Sequence, residues 1–103
     1  MAIVTMSQEA RKDLVNIRSC IREELRNPDA AVRIIKALRQ SIEALEDMPE
    51  RGTPLDTVLM VHTDYRFIVC EKYCVFYLYY DGTVEVVRIL HQMQHYMSAL
   101  FLN

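Results

Sequence analysis

The chain has 103 residues, 51% of them hydrophobic and 25% charged, with a formal charge of −2. That length suits one small domain spanning 1–103, because two cores would each fall near the marginal limit of ~50 residues. The composition excludes disordered, collagen-like and low-complexity chains, and no apolar run approaches the ~18 residues of a membrane span. The start, MAIVTMSQEARK, has no basic stretch before its apolar residues and is not a secretory signal. Three cysteines, Cys20, Cys70 and Cys74, make a poor disulfide framework and fit a reducing cytoplasm. Residues 1–50 carry eight Lys+Arg against nine Asp+Glu, and residues 51–103 four against five. Neither half has the basic excess of a nucleic-acid-binding domain.

In chain order, Ala2 to Met6 reads as a short strand and Ser7 as a helix cap. Ala10, Leu14, Ile17, Ile21 and Leu25 form one apolar helical stripe, with Arg11, Lys12, Arg18, Arg22 and Glu23 on the solvated face. Asn27-Pro28-Asp29 opens a second helix with a cap, a first-turn proline and a dipole-matching carboxylate. Its stripe is Ala31, Ile34, Ile35, Leu38, Ile42 and Leu45, and the two helices form an antiparallel hairpin. Glu50 to Pro54 is a loop. Val58–Val61, Arg66–Cys70, Cys74–Tyr80 and Thr83–Leu90 read as strands, and Gln94 to Leu102 as a short helix. The fold class is α+β: an antiparallel sheet with an N-terminal strand, an αα-hairpin on one face and a short C-terminal helix.

Asp81-Gly82 is a two-residue hairpin turn and Glu71-Lys72 a weaker one. These turns fix a register in which Arg66 faces Tyr77, Ile68 faces Val75, Tyr77 faces Val86 and Val75 faces Arg88. Alternation then puts Phe67, Val69, Cys74, Phe76, Val87 and Ile89 on one face, assigned to the core under the helices. Arg66, Ile68, Val75, Tyr77, Tyr79, Val86 and Arg88 fall on the other, expected to be open. Two arginines among tyrosines can bind a phosphate or a carboxylate. His91, His95 and Tyr96 follow closely and can serve as acid or base groups. Such a set suits metal-free RNA cleavage by 2′-hydroxyl attack. It equally suits a structural role, with the arginines paired to Asp64, Glu85 or a partner. His62, His91 and His95 lack ligand spacing, so no metal and no cofactor is expected.

Taken together and in order, EARKDLVNIRSCI, LRNPDAAVRIIKALRQSIEALEDMPERG, DYRFIVCEKYCVFYLYYDGTVEVVRILH and HYMSALF resemble the RelE/ParE superfamily of bacterial type II toxins. Asn-Pro-x-Ala-Ala and Pro-Glu-Arg-Gly are most similar to the ParE-type, plasmid-stabilisation branch. The resemblance implies a cytoplasmic toxin that arrests growth and is silenced by a cognate antitoxin encoded beside it. It also implies no membrane association and no sequence-specific DNA binding without the antitoxin. The target would be DNA gyrase, as in ParE-like members, or mRNA in the ribosomal A site, as in RelE-like endonucleases. For a nuclease, the resemblance places the catalytic set at Arg66, Arg88, His91, His95 and Tyr96. Met93-Gln94-His95-Tyr96 departs from the Arg-Arg-Asp-Tyr of many relatives, which favours gyrase; a degenerate, non-toxic partner-binding module is the third alternative. Arg66, Ile68, Tyr77, Tyr79, Val86 and Arg88 are expected to form the antitoxin footprint.

Overall fold

A computed structural model describes residues 1–57 and 62–92. The strand expected at Val58–Val61 and the helix expected at Gln94–Leu102, with His95 and Tyr96, lie outside the described residues. The elements are β1 (Ile3–Met6), α1 (Gln8–Ser19), α2 (Pro28–Glu43), β2 (Thr53–Pro54), β3 (Arg66–Cys70), β4 (Tyr73–Tyr80) and β5 (Thr83–His91). The strand order is β1-β5-β4-β3-β2. Every pairing is antiparallel except β1 with β5, so the sheet is mixed. The α+β class and the helical hairpin on one face are as expected.

The helix starts follow their caps. Ser7 Oγ accepts from the Ala10 amide at 3.0 Å, and Asn27 Oδ1 from the Ala30 amide at 3.1 Å, with Pro28 in the first turn. A π-helical turn over Cys20–Glu24 ends the first helix, and there the expected stripe fails. Ile21 is buried but Leu25 is 68% exposed. A π turn advances less angle per residue than an α turn, so a residue four on no longer returns to the same face.

Asp81 and Gly82 take φ of 51° and 72°, the left-handed pair that a two-residue hairpin requires. The β3–β4 register is the expected one, with Arg66 opposite Tyr77 and Ile68 opposite Val75. From β4 to β5 the expected register holds from Tyr80 to Tyr77, then breaks. Tyr77 lies opposite Val86 but Phe76 opposite Arg88, so Val87 is an extra, bulged residue. Val75 therefore meets Ile89, not Arg88.

The face assignment is corrected. The hairpin residues Ala10, Leu14, Ile17, Ile21, Leu38 and Ile42 pack with Val75, Tyr77, Val84, Val86 and Ile89, and Ile68 joins them. That is largely the set expected to be open. Phe76, Cys74, Leu90 and Leu55 form a second cluster on the opposite face, with Tyr65, Phe67 and Val87. Ile89 changes face because the bulge shifts the alternation by one residue.

Candidate functional site

Three side-chain groups organise the surfaces around the sheet. The first fastens the loop between α2 and β2. Tyr77, fully buried, donates its phenolic hydrogen to the Pro49 carbonyl at 2.8 Å and accepts from the Gly52 amide at 2.9 Å. Arg66, opposite it, donates to the Gly52 and Glu50 carbonyls at 2.8 and 3.2 Å. Pro-Glu-Arg-Gly is thus clamped by a strand pair. Gly52 is required by close approach: a Cβ there would lie 2.5 Å from Tyr77 Oη and 3.0 Å from the Phe67 carbonyl oxygen. Gly52→Ala is expected to cost about 1–3 kcal/mol in a denaturant titration, because the phenol is fixed by its own bonds and cannot step aside.

Burial pushes the Tyr77 phenol above its ordinary value, with the Gly52 amide and nearby Arg66 and Arg51 pulling weakly the other way. The fold therefore prefers the protonated phenol. Its contribution is complete below the unfolded value near 10 and is lost as pH rises through the folded value. Wild-type stability is expected to fall more steeply between about pH 9 and about pH 12 than that of Tyr77→Phe, by urea midpoints at stepped pH.

The second group closes the edge of β5. Past Met6, β1 no longer covers that edge, and the α1 end of the chain takes over. Ser7 Oγ donates to the carbonyl of the bulged Val87 at 2.8 Å. Asp13 accepts from the Ile89 amide at 2.9 Å and holds Arg88 through two bonds, Nε to Oδ2 at 2.8 Å and Nη2 to Oδ1 at 3.0 Å. The carboxylate raises the Arg88 guanidinium further above its ordinary value, against a smaller opposing effect of burial. Asp13 was missed in the sequence. Its only signal is a carboxylate at the border of the apolar stripe, beside Leu14.

The third group lines a cleft of about 470 Å3 where the first helix turns into the second, with Cys20, Leu25, Arg33, Glu71, Tyr73 and His91 in its wall. Tyr73 meets His91 edge to face, centroids 5.5 Å apart. Burial raises the Tyr73 phenol. The hydrogen bond of Cys20 to the Glu24 carboxylate raises its thiol, which lowers thiolate nucleophile content. Arg33 binds Glu71 at 2.6 Å, holding a turn residue whose φ is 57°.

Of the expected catalytic set, Arg88 and His91 line one pocket of about 340 Å3 with Asp13, Cys20 and Tyr73, and Arg66 stands apart from it. Arg66 serves the loop clamp, Arg88 the β5 edge, and His91 the cleft. The expected footprint is buried in part: Tyr77 and Val86 are fully buried under the helices, Ile68 packs against that core, and Tyr79 is 36% exposed. Among the described residues, no group of three His, Cys, Asp or Glu can hold a metal ion, and no helix is long and apolar enough to cross a membrane.

Residues 4–96 match the family described as the ParE toxin of the type II toxin-antitoxin system, parDE. The curated protein Toxin RelE2 of Caulobacter vibrioides is 34% identical over 91 residues, covering 88% of this chain and 96% of its own. The solved chromosomal ParDE toxin–antitoxin system from P. aeruginosa contains a chain of the same fold, with a TM-score of 0.73 at 15% identity, covering 88% of this chain and 96% of that one. The family match spans residues 4–96, and the chain belongs to the ParE toxin family of type II toxin–antitoxin systems.

Proposed function

We propose that this toxin acts in the cytoplasm by protein–protein contact with DNA gyrase, in the manner of ParE-like toxins, and is held silent by its cognate antitoxin. The observation that carries this reading is the engagement of both sheet arginines within the fold. Metal-free cleavage by a 2′-hydroxyl needs a cation facing the pentacoordinate phosphate. Here Arg66 is bound to two loop carbonyls and Arg88 to a carboxylate that offsets its charge. The acidic balance of the chain also disfavours a surface built for ribosomal RNA. The mRNA-endonuclease reading, with Arg66, Arg88, His91, His95 and Tyr96, is favoured instead by the name of the relative, Toxin RelE2.

One experiment separates the two. The toxin is expressed alone, transcripts are read by primer extension, and purified toxin is added to a gyrase supercoiling assay. Loss of supercoiling with intact transcripts is expected. Codon-phased cuts with normal supercoiling would overturn the proposal, and growth without either effect would indicate a non-toxic binding module.

A further inference from the structure

The end of the sheet where β4 turns into β5 carries large side chains that the described fold leaves open. Ile3 is 67% exposed and Tyr80 52%. Both lie opposite Thr83, Ile3 from β1 and Tyr80 from β4, and the Ile3 amide donates to the Gly82 carbonyl at 3.0 Å. Neighbouring strands stand about 4.8 Å apart, so Ile3, Thr83 and Tyr80 make one row roughly 10 Å long across three strands. The next row is Thr5, Glu85 and Leu78. Val4, Val84 and Val86 pack toward the hairpin, so alternation turns both rows to the opposite face, beyond Phe76 and its cluster.

An isoleucine and a tyrosine at the open end of a solvent-facing row do not serve the core. Apolar surface kept bare marks an interaction site, and tyrosine is among the commonest anchors of protein interfaces. The charge around them has one sign. Residues 78–87 hold Asp81 and Glu85 and no lysine or arginine. Glu85 stands in the second row and accepts from the Tyr80 hydroxyl at 3.4 Å. Glu46, followed by Asp47, lies beside the start of β1, where its carbonyl accepts from the Ala2 amide at 2.8 Å. None of these four carboxylates has an ion-pair partner among the described residues. Outside the hairpin, residues 8–43, the chain has four Lys+Arg against eight Asp+Glu, and two of those four, Arg66 and Arg88, are already held.

We propose that this aromatic, acid-rimmed sheet end is the surface the toxin presents to gyrase, and that it seats on a cationic, DNA-holding surface of the enzyme. The inference rests on the gyrase reading and names the contact. Any enzyme that grips a duplex sets lysines and arginines toward its phosphates. Those side chains answer Asp81 and Glu85 by charge, and a guanidinium stacks on the exposed Tyr80 ring. Complementary charge also speeds encounter in a salt-dependent way. A toxin seated there competes with DNA for the same cations without itself binding DNA.

Purified gyrase is titrated onto immobilised toxin and followed by biolayer interferometry, with and without a short DNA duplex as competitor. Two double variants are compared with wild type: Ile3→Ser with Tyr80→Ser, and Asp81→Asn with Glu85→Gln, in which asparagine tolerates the left-handed turn. Urea midpoints check that each is folded. Val32→Ser, at a residue 70% exposed on α2, is the control. Gyrase binding is expected to weaken about tenfold or more in both double variants, to fall with raised salt, to yield to the duplex, and to be unchanged in Val32→Ser. Unchanged affinity in both double variants, with wild-type toxin still inhibiting supercoiling, overturns the surface and leaves the gyrase reading standing. A wild type that neither binds gyrase nor inhibits it overturns both. Binding indifferent to the duplex overturns the DNA-holding partner surface. A toxin dimer abolished by either double variant would make a second copy the occupant. Loss of the antitoxin encoded beside the toxin, with gyrase binding intact, would make the antitoxin the occupant. Each of these last two results overturns the proposal.

Discussion

Tyr77→Ala is expected to destabilise the domain more than any other single substitution on the helix-covered face. The ring is fully buried, and removing it leaves a cavity costing about 3–5 kcal/mol. The Gly52 amide and the Pro49 carbonyl also lose their partner, at about 1–3 kcal/mol more. A small domain with about 5–15 kcal/mol in all has little left after such a loss. Tyr77→Phe keeps the packing and removes only the hydroxyl, so its loss isolates the clamp. Arg66→Ala loosens the same loop from the other side, and the two effects should not add. A urea double-mutant cycle of Tyr77→Phe with Arg66→Ala checks this; full additivity would mean that the strand pair does not hold the loop as a unit.

This pair also shows where the sequence was legible and where it was not. Turns and caps are written in single residue types with special backbone chemistry, so Asp81-Gly82 and Asn27-Pro28 could be read directly, and the β3–β4 register followed from them. Which face receives the helices is a different question. Both alternating sets are apolar: Ile68, Val75 and Val86 on one, Phe67, Phe76 and Val87 on the other. The deciding marks were Arg66 and Tyr77, and their polarity suggested solvent. In the fold their polar ends reach over the sheet rim into a loop, while the Tyr77 ring fills the core. A polar tip on a large side chain reports the position of its last atom, not of its body.

Two backbone irregularities account for most of the remaining differences. The bulge at Val87 shifts the alternation, exchanging the faces of Ile89 and its neighbour, and the π turn at Cys20 swings Leu25 outward. Neither carries a glycine or proline to announce it. The bulge is stabilised from a distance, by the Ser7 hydroxyl eighty residues away in sequence. Family resemblance was legible because it draws on the whole order of segments. The roles of single residues were not, since identical arginines can face a phosphate or satisfy a carbonyl.

Asp13 and Arg88 carry the second large expected effect. Asp13→Ala removes three hydrogen bonds at once: two to the guanidinium and one to the Ile89 amide at an otherwise open strand edge. Asp13 is largely shielded and Arg88 more accessible, so the loss should fall below the 3–5 kcal/mol typical of a fully buried pair, at about 2–3 kcal/mol. Asp13→Asn can keep an acceptor for Ile89 while losing the charge, and should cost less. Arg88→Lys keeps the charge but not the two-pronged geometry, so it should recover only part of the loss seen in Arg88→Ala. The series also tests the role of Arg88 in activity. If Arg88 serves the edge alone, toxic activity in Arg88→Ala and Asp13→Ala should decline in parallel, in proportion to the folded fraction. A selective loss of activity in Arg88→Ala, at stability equal to Asp13→Ala, would show that the guanidinium itself meets the target. Such a result would return Arg88 to the functional surface despite its carboxylate partner.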